Sequence, residues 1–372
     1  MPLTNTATFN SLGGSEIVNH LLELIRGAEP GSEIKFTAFR FEERSVADAL
    51  IDAARRGVQV QLLVDGGAPT SDGQQYIPVE AALATDNDDG TWARHCGGAE
   101  NPFPEPSCQG TNAMHNKFAL FSRTMGTDDV VSTGSANLND TSGRTVWNSW
   151  YTHVENSGLF ERFKGYFGDM ARMEVKPDYY NENPPVITGN VKSYFYPRAK
   201  VDGDAAANDT FVHTLDATRC PGTIRVANWS LSRPAVAHAL VAKAAEGCTV
   251  EVVARKIYPS ACKALATAVE AGAEVRLWSY KEEDEAPNYV HSKDATIEAG
   301  YPNTSEKAKV VFTGSANLNT PSLEHNDENV VRIMNQETTY AAFVDHFMRV
   351  KAHAESSGQG FRILGTEDCA PA

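Results

Sequence analysis

Residues 34 to 65 and 224 to 255 align without a gap, and no other feature of the chain limits its fold so tightly. IKFTAFRFEERSVADALIDAARRGVQVQLLVD stands against IRVANWSLSRPAVAHALVAKAAEGCTVEVVAR, each reading as strand, helix, glycine, strand. Ile34 and Phe36 match Ile224 and Val226 with the alternation of a strand. Ala47, Leu50 and Ala54 match Ala237, Leu240 and Ala244 at helical spacing, and Gly57 matches Gly247 where the helix must stop. A repeat this long implies two copies of one domain rather than a solenoid.

A second, shorter repetition carries the chemistry. Met114-His115-Asn116-Lys117 precedes Gly134-Ser135-Ala136-Asn137-Leu138-Asn139, and Val290-His291-Ser292-Lys293 precedes Gly314-Ser315-Ala316-Asn317-Leu318-Asn319. The residues that follow each His-x-Lys read as a buried strand, so the two-residue period puts each histidine on the same face as its lysine. Val130 to Thr133 and Val310 to Thr313 predict a second strand that ends on the Gly-Ser-Ala-Asn segment, whose small residues let backbone and amide approach a ligand. Each copy thus supplies one imidazole, one ammonium and one amide. Paired about a pseudo-twofold, the sets suit the anionic, multi-oxygen centre of a phosphodiester.

Paired imidazoles meet a particular need at phosphorus. One neutral ring attacks while the other, protonated, delivers a proton to the departing alkoxide, and an imidazole titrating near ~6.5 reaches both states around neutral pH. Two ammonium groups and two amides can stabilise the pentacoordinate centre, so no metal or cofactor is expected.

Length and charge narrow the context. The 372 residues suffice for two domains, each with its own core. No apolar run approaches the ~20 residues of a membrane span. A formal charge of −15, with no Lys/Arg stripe, disfavours nucleic acid as the partner. The acidic run Lys281 to Glu285 reads as a solvated loop. There are six cysteines and no Cys-x-x-Cys; Cys96 and Cys108 flank a Gly-, Pro- and Asn-rich loop where a short disulfide is expected. That usage favours an oxidising compartment, with Met1 standing in for a removed leader.

With these residues in place, the chain resembles the phospholipase D superfamily, marked by two copies of His-x-Lys-x4-Asp, each trailed by Gly-Ser-x-Asn. The Phe9-Asn10 and Phe195-Tyr196-Pro197 openings resemble compact secreted bacterial phospholipases D. The resemblance implies that His115 forms a covalent phosphohistidine, that His291 protonates the leaving group and later acts as base, and that Lys117, Lys293, Asn137 and Asn317 bind phosphate oxygens. Symmetry of the residues permits the reverse assignment of the histidines. Two positions depart from the pattern: the motif aspartate is Ser122 in the first copy and Glu298 in the second. The family's carboxylate that accepts the histidine ring proton fits Glu328 in the second half, while its ungapped counterpart in the first is Asn148. An amide positions an imidazole but stabilises the imidazolium less. Ser135 and Ser315 are the remaining supporting candidates.

Other motif neighbours have simpler readings. Asn139 and Asn319 read as turn closers. His95, His153, His213 and His325 have no counterpart in the other half and read as structural or exposed. Trp147, Trp150, Tyr151, Trp229, Trp278, Tyr280 and Tyr289 read as core or rim; Trp150 and Tyr289, beside the motifs, are the candidates to line a head-group site.

The expected architecture is α/β: two tandem phospholipase D-like domains, 1–185 and 186–372, related by a pseudo-twofold, with mixed sheets flanked by helices and motif-bearing strand ends meeting at one cleft. Residues 180 to 192 read as the linker, 66 to 112 as a rim or lid, and 256 to 288 as a helix over 261–271 and then loop. The expected function is metal-independent hydrolysis or transfer of a phospholipid head group by a secreted monomer working at a membrane surface. The alternatives are an endonuclease or other phosphodiesterase with the same histidine chemistry, or a degenerate homologue that grips phosphate without turnover.

Overall fold

The computed structural model describes residues 3–70, 73–84, 89–97, 107–200, 206–280 and 288–369. The first half runs β1 (Thr6–Phe9), α1 (Glu16–Gly27), β2 (Glu33–Ala38), α2 (Arg44–Arg55), β3 (Gln59–Val64), α3 (Tyr76–Leu83), β4 (Trp92–His95), β5 (Phe118–Thr124), β6 (Thr127–Gly134), β7 (Ser149–His153) and α4 (Ser157–Ala171). The second runs α5 (Tyr179–Glu182), β8 (Val186–Thr188), β9 (Val191–Tyr196), α6 (Thr210–Ala217), β10 (Arg219–Leu231), α7 (Pro234–Ala245), β11 (Thr249–Ile257), α8 (Pro259–Glu270) and β12 (Val275–Tyr280). It ends with β13 (Lys293–Gly300), β14 (Ala308–Gly314), α9 (Thr320–Glu324), β15 (Glu328–Met334), α10 (Glu337–Ser356) and β16 (Gly360–Ile363).

Strand order is β1-β7-β6-β5-β2-β3-β4 in one sheet and β16-β12-β11-β10-β13-β14-β15-β9-β8 in the other. Read from its far end, the second repeats the first, with β8 and β16 added at its edges. β2, β3 and β4 are parallel, as are β10, β11 and β12, because a helix carries the chain back in the crossovers of the repeat. The motif strands pair antiparallel across short turns. This is the expected pair of mixed, helix-flanked α/β sheets. Helices α2 and α7 end as the alignment requires: Gly57 at φ +87° and Gly247 at φ +94° adopt the left-handed conformation that a side chain would resist.

Each half has an outer core between its sheet and its helices. Ile34, Phe36, Leu50 and Val60 belong to one; Ile224, Val226, Leu240 and Val250, their repeat partners, belong to the other. A third core joins the halves. Phe163, Tyr166, Phe167 and Met170 of α4 pack with Phe118 and Val131 of the first sheet and with Phe195, Val331 and Ile333 of the second. Each fully buried aromatic there contributes roughly 1.5–3 kcal/mol of transfer free energy, which fixes the two sheets relative to one another.

The disulfide Cys96–Cys108 forms as expected, and two further pairs, Cys220–Cys248 and Cys262–Cys369, were not singled out by the sequence. The linker reading of 180–192 needs correction: Tyr179–Glu182 is helical and Val186 onward forms the β8–β9 hairpin at the edge of the second sheet. The Pro-rich composition that suggested a linker instead suits an edge, where a missing donor leaves no ladder gap. The loop expected after α8 is partly strand, since β12 pairs with β11 and β16. Residues 66–112 contain α3 and β4, so that connection carries sheet structure of its own. The acidic run 281–285 lies outside the described residues.

Candidate active site

Both His-x-Lys segments are extended and lean on the opposite half. Met114 forms a parallel bridge with Asp327, and Val290 forms one with Trp147. The His115 N–H donates to the Asp327 carbonyl at 3.0 Å, and the His291 N–H to the Trp147 carbonyl at 2.8 Å. The residues next in line then meet. His115 Nδ1 lies 2.8 Å from Glu328 Oε1, and His291 Nδ1 lies 2.9 Å from Asn148 Oδ1. Each imidazole is therefore held by the other half's side chain. An acceptor at Nδ1 fixes the proton there and leaves Nε2 bare, the state a nucleophile or base requires.

The supporting shell repeats as well. Ser135 Oγ donates to Asn148 Oδ1 at 2.7 Å, while Ser315 Oγ is 2.5 Å from Glu328 Oε2. Asn148 Nδ2 donates to the Ser142 carbonyl at 2.5 Å, which turns the amide oxygen toward His291. Ser322 Oγ donates to Glu328 Oε1 at 2.7 Å, and Asn326 Nδ2 does so at 3.2 Å. The serines 135 and 315 thus hold the holders of the histidines. Ser142 and Ser322, each five residues after the motif asparagine, also bind the backbone of Asn137 and Asn317. This repeated serine was legible in the sequence and was missed.

Lys117 donates to the His115 carbonyl at 2.7 Å, and Lys293 to the His291 carbonyl at 2.5 Å, so each ammonium stays beside its own imidazole. Lys293 Nζ also approaches His291 Nδ1 to 3.2 Å. Asn137 and Asn317 are positioned alike: the Oδ1 of each is buried with no hydrogen-bond partner among the described residues. Asn139 and Asn319 act as turn closers, accepting from Ser142 N at 2.8 Å and Ser322 N at 3.0 Å.

Electrostatics couple the two copies. Burial drives the His115 pKa down to about 4, with Glu328 pulling upward and Lys117 and Lys293 pushing further down. His291 is also well below the ordinary histidine value, by burial first, then by Lys293, Lys117 and His115. Burial lowers Lys117 to about 7, opposed by Glu328 and Asp65, and takes Lys293 well below the usual lysine range. Burial alone would raise Glu328; His115 and Lys117 outweigh it and keep the carboxylate ionised. Buried positive potential of this kind favours binding of an anion.

Other residues frame the site. Phe39 and Trp229, equivalent in the repeat, stand edge-on at 4.9 Å from His115 and 6.2 Å from His291. The backbone N–H groups of Cys108, Gln109 and Gly110 converge on the Asp327 carboxylate, at 2.7 Å for Cys108 and Gly110. The end of the disulfide loop is in this way fastened next to Glu328. Asp65 accepts from Met114 N at 3.0 Å and so braces the first motif. Neither aspartate carried a repeat signal: the partner of Asp65 is Arg255.

The departures from the motif have local roles. Ser122 Oγ accepts from Glu33 N at 2.8 Å, and Glu298 from the Tyr340 hydroxyl at 3.3 Å. Neither touches a site side chain in these contacts. Trp150 is core, with Nε1 donating to Ser132, and Tyr289 lies under the Arg255 guanidinium. His153 is buried beside Tyr151, as a structural histidine would be.

The family model for "Cardiolipin synthase, PLD-like domain" matches residues 21–170 and 212–351. In structure, the chain is similar to a phosphatidylserine synthase from Haemophilus influenzae Rd KW20, with TM-score 0.62 and 13% identity, covering 97% of this chain and 88% of that one. It is also similar to a polyphosphate kinase from Porphyromonas gingivalis, with TM-score 0.59 and 14% identity, covering 93% of this chain but only half of that one. At these identities the likeness bears on fold alone. No curated protein sequence matches the chain.

Proposed function

Because the chain belongs to the phospholipase D-like family of phosphodiesterases and phospholipid-modifying enzymes, we propose that it hydrolyses a phospholipid head group, or transfers the lipid phosphate to another alcohol, through a phosphohistidine. The observation that carries this reading is the exchange of supports, with His115 held by Glu328 and His291 by Asn148. Neutral His115 attacks phosphorus through Nε2. An N–P bond forms, the P–O bond to the head group breaks, and a proton passes from His291 to the departing oxygen. Glu328 is suited to the nucleophile's side because phosphorylation makes that ring cationic. A water or alcohol then gives its proton to His291 and its oxygen to phosphorus, which frees His115.

Lys117, Lys293, Asn137 and Asn317 would hold the nonbridging oxygens. Phosphate binding supplies the missing negative charge, lifting His291 toward the protonated state its acid role demands. The same cations can serve the transition state without a metal. Both histidines come from one chain, which supports action as a monomer. The acidic chain favours a lipid over a nucleic-acid substrate, and three disulfides support an oxidising, extracellular setting.

The test is head-group release from mixed phospholipid vesicles in the presence of a chelator, together with acid-quenched trapping of phosphoenzyme. Label on the peptide containing His115 is the expected result. Label on the His291 peptide would reverse the roles, and degradation of DNA in place of lipid would make the chain a nuclease.

A further inference from the structure

The two histidine supports are equivalent in the repeat, but the residues just before them are not. Glu328 follows Asp327, and Asn148 follows Trp147. Both preceding residues make the same pair of backbone bonds. Trp147 donates to the Tyr289 carbonyl at 3.0 Å and accepts from His291 N, while Asp327 donates to the Ala113 carbonyl at 2.9 Å and accepts from His115 N. Their side chains diverge. The Trp147 indole packs into an apolar core with Val253, Tyr280 and Val290, whereas the Asp327 carboxylate, at 0% exposure, meets the backbone N–H groups of Cys108, Gln109 and Gly110.

An aspartate buried this deeply destabilises the fold unless its polar atoms are satisfied, and three backbone donors satisfy this one. Those donors are themselves anchored. Cys108 is joined to Cys96, which directly follows β4 and donates its N–H to the Val64 carbonyl of β3 at 2.9 Å. The residues after Gly110 run along the second half: Thr111 N–H donates to the His325 carbonyl at 2.8 Å, and Asn112 Nδ2 donates to Asn326 Oδ1 at 2.6 Å. A Cβ at Gly110 would collide with the His325 carbonyl, so this close approach requires glycine. Successive residues of an extended segment face opposite ways, which lets Asp327 grip the loop end while Glu328 reaches His115.

We propose that Asp327 is a positioning residue for His115: by hooking the loop end that Cys96–Cys108 ties to the first sheet, it holds the start of β15, and so Glu328, at bonding distance from the imidazole. The proposal rests on the phosphohistidine reading above, in which the His115 ring must present Nε2 to phosphorus. His115 and Glu328 come from opposite halves, 213 residues apart in sequence, and meet at 2.8 Å. A slip between the halves therefore disturbs this bond first, and a misplacement of about 1 Å in a catalytic group lowers a rate about 100-fold. Asp327 bonds to backbone groups of Cys108, Gln109, Gly110, Ala113 and His115, so it acts through its neighbours. The His291 side is held by the apolar packing of Trp147 instead.

The test measures catalysis and ring position separately. Asp327→Asn keeps the shape of the side chain but turns an amide NH₂ toward backbone donors. Head-group release should show kcat lowered about tenfold or more, the effect of losing an outer carboxylate, with KM and orthophosphate affinity unchanged within about twofold. By NMR of isotope-labelled protein, the Nδ1 proton of His115 should shift or broaden, and that of His291 should not. The paired substitution Cys96→Ala and Cys108→Ala should move the same readings the same way and add little to Asp327→Asn, because both cut one hook. It also carries the test if Asp327→Asn does not fold. A folded variant that loses thermal stability but keeps kcat, a loss borne by KM, equal disturbance of both rings, or full additivity of the two changes would overturn the proposal. The ring signals need no turnover: a selective His115 shift in a protein that releases no head group would uphold the positioning and remove the phospholipid reading, while release with an unchanged His115 signal would do the opposite.

Discussion

The first half lends its imidazole to a carboxylate and the second lends its own to an amide. His115 faces ionised Glu328, buried at 0% exposure and fed by Ser315, Ser322 and Asn326; His291 faces Asn148, equally buried and fed by Ser135. The ring-to-acceptor distance is nearly the same, 2.8 Å against 2.9 Å, so the two acceptors differ chiefly in charge. A near-symmetric scaffold can thus assign unlike tasks to like residues. In the proposed mechanism the carboxylate suits a ring that becomes cationic on phosphorylation, and the amide suits a ring that stays neutral until an anion binds.

The hardest blow to this comparison is removal of either ring. His115→Ala and His291→Ala should each lower head-group release about 10⁴-fold, since nucleophile and acid act in series. If one variant kept substantial activity, the two rings would not be sharing one phosphorus.

Exchanging the supports sharpens the contrast. Glu328→Gln should reduce kcat about 100-fold, in keeping with loss of an outer carboxylate, while Asn148→Asp should raise the His291 pKa and extend activity to higher pH. A pH–rate profile for each variant decides it, and matching effects would mean that charge at these positions is irrelevant.

Lys117 gives a pH test on the unmodified protein. Its folded pKa is about 7, depressed by burial, so the ammonium is charged below that value and is lost as pH rises through it. Orthophosphate affinity, measured by calorimetry, should therefore weaken above about pH 7, by up to roughly tenfold per lost charge-assisted contact. Because a lysine depressed in the fold favours its neutral form, any stability it contributes lies above the unfolded lysine pKa and disappears as pH falls toward 7. Affinity that strengthened with rising pH would assign the binding charge elsewhere.

The smallest effects belong to the positions where the motif is incomplete. Ser122→Asp and Glu298→Asp, at half-buried positions away from the site, should change kcat/KM by no more than about twofold and stability by roughly 0.5–1 kcal/mol. Among the described residues, Ser122 accepts from Glu33 N and Glu298 from the Tyr340 hydroxyl. A large gain on restoring the aspartate would show that these positions reach the site.

Much of this was legible before any coordinate. The repeated string from Ile34 matched real strands and helices because period and glycine placement are local properties of sequence. Glu328 and Asn148 were legible as counterparts because both follow Gly-Ser-x-Asn at one interval. Asp327, Asp65 and Phe39 were not, since each acts on a neighbour brought in by packing. The linker misreading at Val186 has the same origin: prolines mark a break in local structure, but an edge strand and a tether look alike in composition.

Sequence by itself determined the duplication, the two imidazole–ammonium pairs and the asymmetry of their supports, because repeats and spacings are written along one dimension. Tertiary structure decided who supports whom. His115 and Glu328 are 213 residues apart, and His291 and Asn148 are 143 apart. The shared aromatic core of α4, by fixing one sheet against the other, together with the bridges of Met114 to Asp327 and Val290 to Trp147, brings each ring to the opposite half.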